Sequence, residues 1–200
     1  MALQCEPRGR IEVDPDGAPA LIPGRLLNEM CAHALETRPE ECCGLLAGTP
    51  ADGYLTVHRC RNTMTQQHQN DPRQYPRDGR HAYYMSEVDY LRAEQDAKAR
   101  GSEVMAVYHS HVSAGVYLSE MDQDFAEHAL FPFPQAAQIV LAVGASNVDR
   151  VLAAGIFSRD AVSGDFQGRV LKALPDGLKA LPDRLEALPD RIVPSAKDET

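Results

Sequence analysis

The chain has 200 residues, of which 44% are hydrophobic and 24% are charged, and its formal net charge is −9. This composition is typical of one soluble globular domain with a tail, and no apolar run is long enough to cross a membrane. The negative charge argues against a nucleic-acid partner, which normally meets a basic patch. The polar N-terminus lacks the apolar core of a secretory signal, so we expect a cytoplasmic protein without a membrane partner.

The first half of the chain is predicted to contain one helix and one pair of strands. Apolar residues at helical spacing predict an amphipathic helix over residues 24–37. A buried strand over 42–47 follows, and the alternating residues 54–61 are predicted to be its antiparallel partner. Residues 62–80 are polar and lack apolar periodicity, which predicts a long loop that is functional or mobile.

The second half is predicted to continue the alternation of strands and helices. A possible capping box at Ser86 predicts a helix over residues 87–100, and Ser119 is predicted to open another helix. Four strands are expected, a short one at 81–85 and longer ones at 104–108, 137–143 and 151–158. Together these elements predict a mixed α/β domain over residues 21–168, preceded by an N-terminal extension, residues 1–20.

Residues 169–200 repeat a Leu-Pro-Asp heptad and are predicted to be a separate tail. The leucines recur three and four residues apart, as in a coiled-coil seam. However, Pro175, Pro182 and Pro189 recur in every heptad, and an interior proline costs a helix about 3 kcal/mol. We therefore expect short helical turns or a weakly ordered tail, with a docking role left open.

Two histidines, His109 and His111, follow the buried strand at 104–108. Residues i and i+2 of a strand share a face, so both imidazoles would project side by side, as two ligands of one metal ion do. Asp122 could return to the same point if the loop before it folds back. Two alternatives stay open: His-x-His on a strand is structural more often than not, and Ser119 with Asp122 could be a capping box alone.

Three protein ligands and one water make the layout of a catalytic zinc site. Such a site also needs a general base and a donor for the oxyanion, for which Glu41 and Ser119 are the candidates. Spacing alone does not bring Glu41 to the histidines, and a solvated loop is its other interpretation. Cys42 and Cys43 lack the partner spacing of a zinc or redox pair, so buried reduced thiols are the preferred interpretation.

Two motifs together resemble those of the JAMM (MPN+) zinc metallopeptidases of the short prokaryotic type. His109-Ser-His111, seven further residues and Ser119-x-x-Asp122 resemble the metal motif, and ECCGLLAG from Glu41 resembles the upstream Glu-x-x-Gly-Leu-Leu-x-Gly segment. The resemblance covers residues 21–160. It implies a curved mixed β-sheet flanked by helices, the JAMM/MPN (cytidine-deaminase-like) fold.

The resemblance also implies residue roles and a reaction. His109, His111 and Asp122 would hold one Zn²⁺ per chain, Glu41 would activate water as the general base, and Ser119 would steady the oxyanion. The implied reaction is hydrolysis after the C-terminal Gly-Gly of a small ubiquitin-like or sulfur-carrier protein. The group released would be a C-terminal extension, an added amino acid or a conjugated lysine.

This chain departs from the family pattern in the loop between the ligands. Val112 and Leu118 stand where prokaryotic members usually have prolines, which would stiffen the loop by restricting φ. The alternatives in other functional classes are a non-catalytic MPN scaffold that binds partners and a zinc hydrolase of a small-molecule amide. The sequence does not determine the oligomeric state.

Overall fold

The computed structural model of the protein describes residues 9–145 and 147–174. Within these residues the strands are β1 (Ile11–Asp14), β2 (Ala20–Pro23), β3 (Cys43–Thr49), β4 (Gly53–Cys60), β5 (Glu103–Val112), β6 (Tyr117–Leu118), β7 (Ala137–Val143), β8 (Val151–Arg159) and β9 (Phe166–Leu174). The helices are α1 (Gly24–Thr37), α2 (Met64–Asn70), α3 (Glu87–Ala99) and α4 (Glu120–Glu127). None of the described helices is long and apolar enough to span a membrane.

The strands form one mixed sheet in the order β4-β3-β5-β7-β8-β9-β1-β6, and β2 also pairs with β9. Strand β5 runs antiparallel to β3 and parallel to β7, so it lies between two partners near the middle of the sheet. Helix α1 packs on one face of the sheet, and α3 and α4 pack on the other. The predicted mixed α/β fold, with a mixed sheet flanked by helices, is confirmed.

Helix α1 matches its predicted range because its apolar residues share one side. Leu26, Met30 and Ala34 are fully buried against the sheet. Burying a leucine or methionine side chain stabilises a fold by roughly 1.5–3 kcal/mol. The amphipathic spacing therefore determined both the existence of this helix and the face that it buries.

Gly44 lets β3 pack closely against the backbone of β4 and the Tyr108 ring of β5. It lies on β3, directly opposite Tyr108 of β5. A Cβ at Gly44 would overlap the Tyr108 ring and the carbonyl oxygen of His58. The Tyr108 hydroxyl lies 2.8 Å from Nδ1 of His33, which gives this buried ring a polar partner on α1. Only glycine fits this position without moving its neighbours.

Two local predictions are wrong. Residues 62–80 are not a loop throughout, because Met64–Asn70 form α2. The Asn62 side chain accepts hydrogen bonds from the backbone N–H groups of Met64 and Tyr84, which positions the start of this helix. Residues 81–85 do not form a strand and contribute only one bridge, between Asn62 and Met85. Both errors arise because long-range contacts, not periodicity, organise this region.

The sheet extends past both predicted domain boundaries. Strand β1 lies inside the predicted N-terminal extension and pairs with β6 and β9. Strand β9 continues beyond residue 168 to Leu174, where it runs parallel to β2. The rest of the predicted tail, residues 175–200, lies outside the described residues. The division into extension, domain and tail otherwise stays a prediction.

Candidate metal centre

Strand β5 brings His109 and His111 to one side of the sheet. His109 is fully buried and His111 is 6% exposed. Their Nε2 atoms are 3.2 Å apart. Because β5 is held by partners on both sides, the two imidazoles start from a rigid part of the backbone. The i, i+2 spacing on a strand has the effect that the sequence predicted.

Asp122 reaches the same point from the first turn of α4. Its Oδ1 lies 3.5 Å from Nε2 of His109, and its Oδ2 lies 3.7 Å from Nε2 of His111. Ligand atoms 2.0–2.1 Å from a tetrahedral zinc ion lie about 3.4 Å from one another. Two imidazole nitrogens and one carboxylate oxygen are also a donor set that zinc accepts. In spacing and in chemistry, therefore, these buried residues fit a metal ion.

The pKa shifts of His109 and Asp122 suit metal binding, whereas the pKa of His111 is raised, because its lowering by burial is outweighed by Asp122 and Glu41. Burial lowers the pKa of His109, which favours the neutral imidazole that a ligand must be. Burial alone would raise the pKa of Asp122, but the two neighbouring histidines and the Ser119 hydroxyl bring it well below its ordinary value. Nδ1 of His111 lies 3.1 Å from the Gly115 carbonyl oxygen, so it donates there and leaves the Nε2 lone pair for a metal.

Ser119 caps α4 and orients Asp122 at the same time. Its hydroxyl and its backbone N–H both donate to Oδ2 of Asp122, at 2.6 and 2.9 Å. The Asp122 backbone N–H donates in turn to the Ser119 hydroxyl oxygen at 3.2 Å, which completes a capping box. Asp122 therefore belongs to both the capping box and the candidate metal group, and the two interpretations do not compete.

The loop between the ligands is held by packing rather than by prolines. Leu118 is fully buried, and the short strand that contains it pairs with β1 at Ile11. At the other end of the loop, Ser113 has a positive φ of 60° and donates its backbone N–H to the Val143 carbonyl oxygen at 2.9 Å. The N-terminal strand thus braces a loop that lacks the usual prolines at Val112 and Leu118.

Glu41 lies beside this centre, in the turn before β3. Its backbone N–H donates to the Gly79 carbonyl oxygen at 2.7 Å, and its own carbonyl oxygen accepts from the Asn62 side chain at 2.9 Å. Glu41 lines a cleft of about 540 Å³ together with His111, Ser119 and Asp122.

The environment of Glu41 changes the acidity of its side chain. Burial, which is the largest cause, raises the pKa of the carboxyl to about 8, while the charge of His111 opposes the shift. A carboxyl that titrates near neutral pH is suited to accept and return a proton. The sequence could name Glu41 as a candidate base, but its placement depends on contacts with residues 62 and 79.

Some residues of the site gave no recognisable signal in the sequence. The Tyr83 ring stacks on His109, and the Tyr117 ring lies 4.6 Å from that of His111. Arg77 and Arg80 line the cleft beside Glu41. These residues come from segments predicted to be a loop or a short strand, where no periodicity indicates which side chains face the candidate site.

Two solved structures are similar to this chain, and the first of them shares its fold. The chain resembles the solution structure of protein DSY2949 from Desulfitobacterium hafniense, with 18% identity over 76% of this chain and 90% of that chain and a TM-score of 0.53. A protein from Salinibacter ruber is similar over 80% of this chain and 95% of its own, with 22% identity and a TM-score of 0.49. No curated protein matches the chain.

The family described as prokaryotic homologs of the JAB domain matches residues 23–154, which include β3, β5 and α4. The JAB family includes metallohydrolases, and the buried His109, His111 and Asp122 are a group that could bind a metal ion. The chain therefore belongs to the prokaryotic JAB (Prok-JAB) family.

Proposed function

We propose that the protein is a zinc metallopeptidase that hydrolyses the bond after the C-terminal Gly-Gly of a small ubiquitin-like or sulfur-carrier protein. The observation that carries this proposal is the convergence of two imidazole nitrogens and one carboxylate at a cleft that a buried glutamate also lines. A structural histidine pair would need neither the third ligand nor the glutamate. Membership in the JAB family supports the same chemistry.

His109, His111 and Asp122 are the residues that would hold the metal. When bound, zinc lowers the pKa of a coordinated water to about 7 and polarises a carbonyl oxygen. Each ligand is oriented by the protein: His111 by the Gly115 carbonyl oxygen, and Asp122 by the hydroxyl and backbone N–H of Ser119. Such supporting hydrogen bonds commonly change metal affinity or activity by 10–100-fold.

Glu41 would move the proton during hydrolysis. The oxygen of water joins the carbonyl carbon, the bond from that carbon to nitrogen breaks, and the proton taken from water is delivered to the leaving amine. Glu41 accepts this proton and releases it, so it ends the cycle in its starting state. Its buried position excludes bulk water and raises its pKa toward the range in which both transfers are favourable.

Ser119 would have two roles that share one hydroxyl. In the structure that hydroxyl donates to Oδ2 of Asp122 at 2.6 Å. To donate to an oxyanion it would have to leave this carboxylate, which would keep the bond from the Ser119 backbone N–H at 2.9 Å. The proposed oxyanion role therefore includes an exchange of hydrogen-bond partner by Ser119.

The test uses a carrier protein that ends in Gly-Gly followed by a short extension, with cleavage followed by mass spectrometry. Wild-type protein loaded with zinc is expected to release the extension. Glu41→Gln is expected to retain stoichiometric zinc, measured by elemental analysis, and to lose cleavage. If this variant binds zinc and still cleaves, the role of Glu41 is wrong.

The same experiment addresses the alternatives. A purified wild-type chain that binds no zinc would favour the partner-binding scaffold. The small-molecule alternative has one observation in its favour, because a cleft of about 540 Å³ lies within the size range of small-ligand sites. Hydrolysis of small amides without cleavage of any carrier protein would favour that alternative.

A further inference from the structure

The wall of the cleft beside Glu41 is basic. Arg77 and Arg80 both line the cleft that two candidate metal ligands, His111 and Asp122, also line. Because the chain has a formal net charge of −9, two cationic side chains at this cleft are a local feature and do not reflect a generally basic surface. The carboxyl groups that line the same cleft, those of Glu41 and Asp122, lie with the candidate metal ligands.

The backbone holds this wall against Glu41. Gly79 lies between the two arginines, and its carbonyl oxygen accepts the Glu41 backbone N–H at 2.7 Å. The Gly79 backbone N–H donates to the Thr65 hydroxyl at 3.0 Å. A Cβ at Gly79 would lie 2.8 Å from that hydroxyl oxygen, so a glycine allows this close approach. The two arginines therefore flank a fixed point beside the proposed base.

The nearby acids are already bonded to other groups. The Asp78 carboxylate accepts from the Arg80 backbone N–H at 3.1 Å and lies 3.0 Å from Nδ1 of His81. The Glu40 carboxylate accepts from the Thr65 hydroxyl at 2.5 Å. Neither guanidinium group, of Arg77 or of Arg80, has a hydrogen bond or ion pair in the part of the chain that the structure describes. The charge of Arg77 acts on Glu41 and that of Arg80 on Asp78, but only through space.

We propose that Arg77 and Arg80 form a subsite for a free carboxylate of the substrate, on the leaving-group side of the hydrolysed bond. A guanidinium group matches a carboxylate in both charge and geometry. The subsite selects a substrate whose leaving group is an amino acid or a short C-terminal extension. This inference rests on the proposed peptidase function.

The selection follows from the position of the carboxylate. A single amino acid after Gly-Gly carries its α-carboxylate two atoms from the nitrogen that is released, so the carboxylate enters the cleft with the scissile bond. A conjugated lysine releases its side-chain nitrogen, and its chain continues as protein without a nearby terminal carboxylate. In either hydrolysis the carbon–nitrogen bond breaks and water supplies the oxygen and the proton. Only the first leaving group is paired with the arginines.

The experiment measures peptide binding separately from cleavage. Three fluorescent peptides end in Gly-Gly-Ala with a free carboxylate, Gly-Gly-Ala amide, and Gly-Gly-Asp amide. Their Kd values are measured by fluorescence anisotropy on zinc-loaded Glu41→Gln, and kcat and KM are measured on the wild type. We expect amidation of the Ala peptide to weaken binding about tenfold or more, the usual size of a charge-assisted hydrogen bond.

The variants locate the effect. Arg77→Gln with Arg80→Gln, in the Glu41→Gln background, is expected to bind the acid and the amide equally. Arg73→Gln is the matched control, because Arg73 is exposed and does not line the cleft. It is expected to leave the preference unchanged. The Asp amide peptide tests which carboxylate the subsite recognises. If it binds as tightly as the Ala acid peptide, the subsite accepts any nearby carboxylate. If it binds as weakly as the Ala amide peptide, the subsite requires the α-carboxylate.

Two results would overturn the inference: equal binding of acid and amide before the arginines are replaced, or a preference that persists in the double variant. Failure of all three peptides to bind also counts against it. Failure of the peptidase function would give a different result. The zinc-loaded wild type would then bind the acid peptide more tightly than the amide, as expected, but would release no alanine.

Discussion

The Tyr83 ring lies nearly parallel to the His109 imidazole, with ring centroids 4.7 Å apart and planes inclined by 25°. His109 needs this neighbour, because its buried Nδ1 has no hydrogen-bond partner among the described residues. A metal-ligating histidine usually has such a partner to fix its orientation. Phe125 packs edge-on against Tyr83, with ring centroids 5.5 Å apart. Stacking thus replaces a hydrogen bond in orienting this candidate ligand.

Replacing Tyr83 is therefore expected to weaken metal binding when the new side chain lacks an aromatic ring, but not when it keeps one. Tyr83→Leu removes the stack and should weaken zinc affinity about tenfold, the lower end of the effect of losing an orienting contact. Tyr83→Phe keeps the ring and removes a buried hydroxyl that has no partner, so it should leave affinity unchanged. Competition with a chromophoric chelator and the visible spectrum of the Co²⁺ protein measure both. An equal loss in the two variants would contradict the stacking role.

The metal-free protein is expected to lose stability as the pH rises through the range in which Glu41 titrates. The pKa of Glu41 is raised from 4.5 to about 8 in the folded chain, chiefly by burial. Between these values the folded state keeps a proton that the unfolded state has released. The contribution of this group to the free energy of unfolding is therefore greatest below pH 4.5 and falls by about 1.4 kcal/mol per pH unit until pH 8.

Urea denaturation at several pH values tests this linkage. Glu41→Gln is the comparison, because its amide does not titrate and its curve should be flatter over the same pH range. Zinc should also flatten the wild-type curve, because a nearby cation favours the ionised carboxylate. Parallel curves for wild type and Glu41→Gln in metal-free buffer would show that Glu41 does not titrate as described.

Gly44→Ala is expected to destabilise the fold by at least about 1–3 kcal/mol, the usual cost of overpacking a core. Its Cβ would overlap the Tyr108 ring and the His58 carbonyl oxygen, both of which lie within the sheet. Gly24→Ala is the matched control, because its Cβ would lie 3.8 Å from the nearest atom, Cβ of Ala173. The free energies of unfolding from urea denaturation compare the two. Equal stability of both variants would contradict the proposed close packing.

Leu118→Ala is expected to reduce both stability and metal affinity. Leu118 is fully buried, and its strand pairs with β1 directly before Ser119 and α4, which carries the candidate ligand Asp122. Leucine-to-alanine substitutions in cores cost about 2–5 kcal/mol. Leu152→Ala is the control, because Leu152 is 54% exposed and should tolerate truncation. Thermal unfolding with and without zinc measures both effects. Unchanged zinc affinity in Leu118→Ala would show that this packing does not position the ligands.

Local patterns predicted the regular elements well. The range 24–37 coincides with α1, and 137–143 coincides with β7, because one has a one-sided apolar stripe and the other is buried along its whole length. The same reasoning failed at 62–85, where the Asn62 side chain bonds to the backbone of Met64 and Tyr84. No periodicity in a sequence reports such a contact between distant residues.

By itself the sequence determined the candidate ligand group, because its parts depend on local geometry. Alternate residues of a strand share a face, and a serine followed by an aspartate three residues later forms a helix cap. Only the tertiary structure decided what surrounds that group. Glu41 reaches the cleft through backbone contacts with Gly79 and Asn62, and Tyr83 reaches His109 from a segment without regular structure. Periodicity and capping determine where a side chain points along its own element, whereas packing between distant segments determines what it meets there.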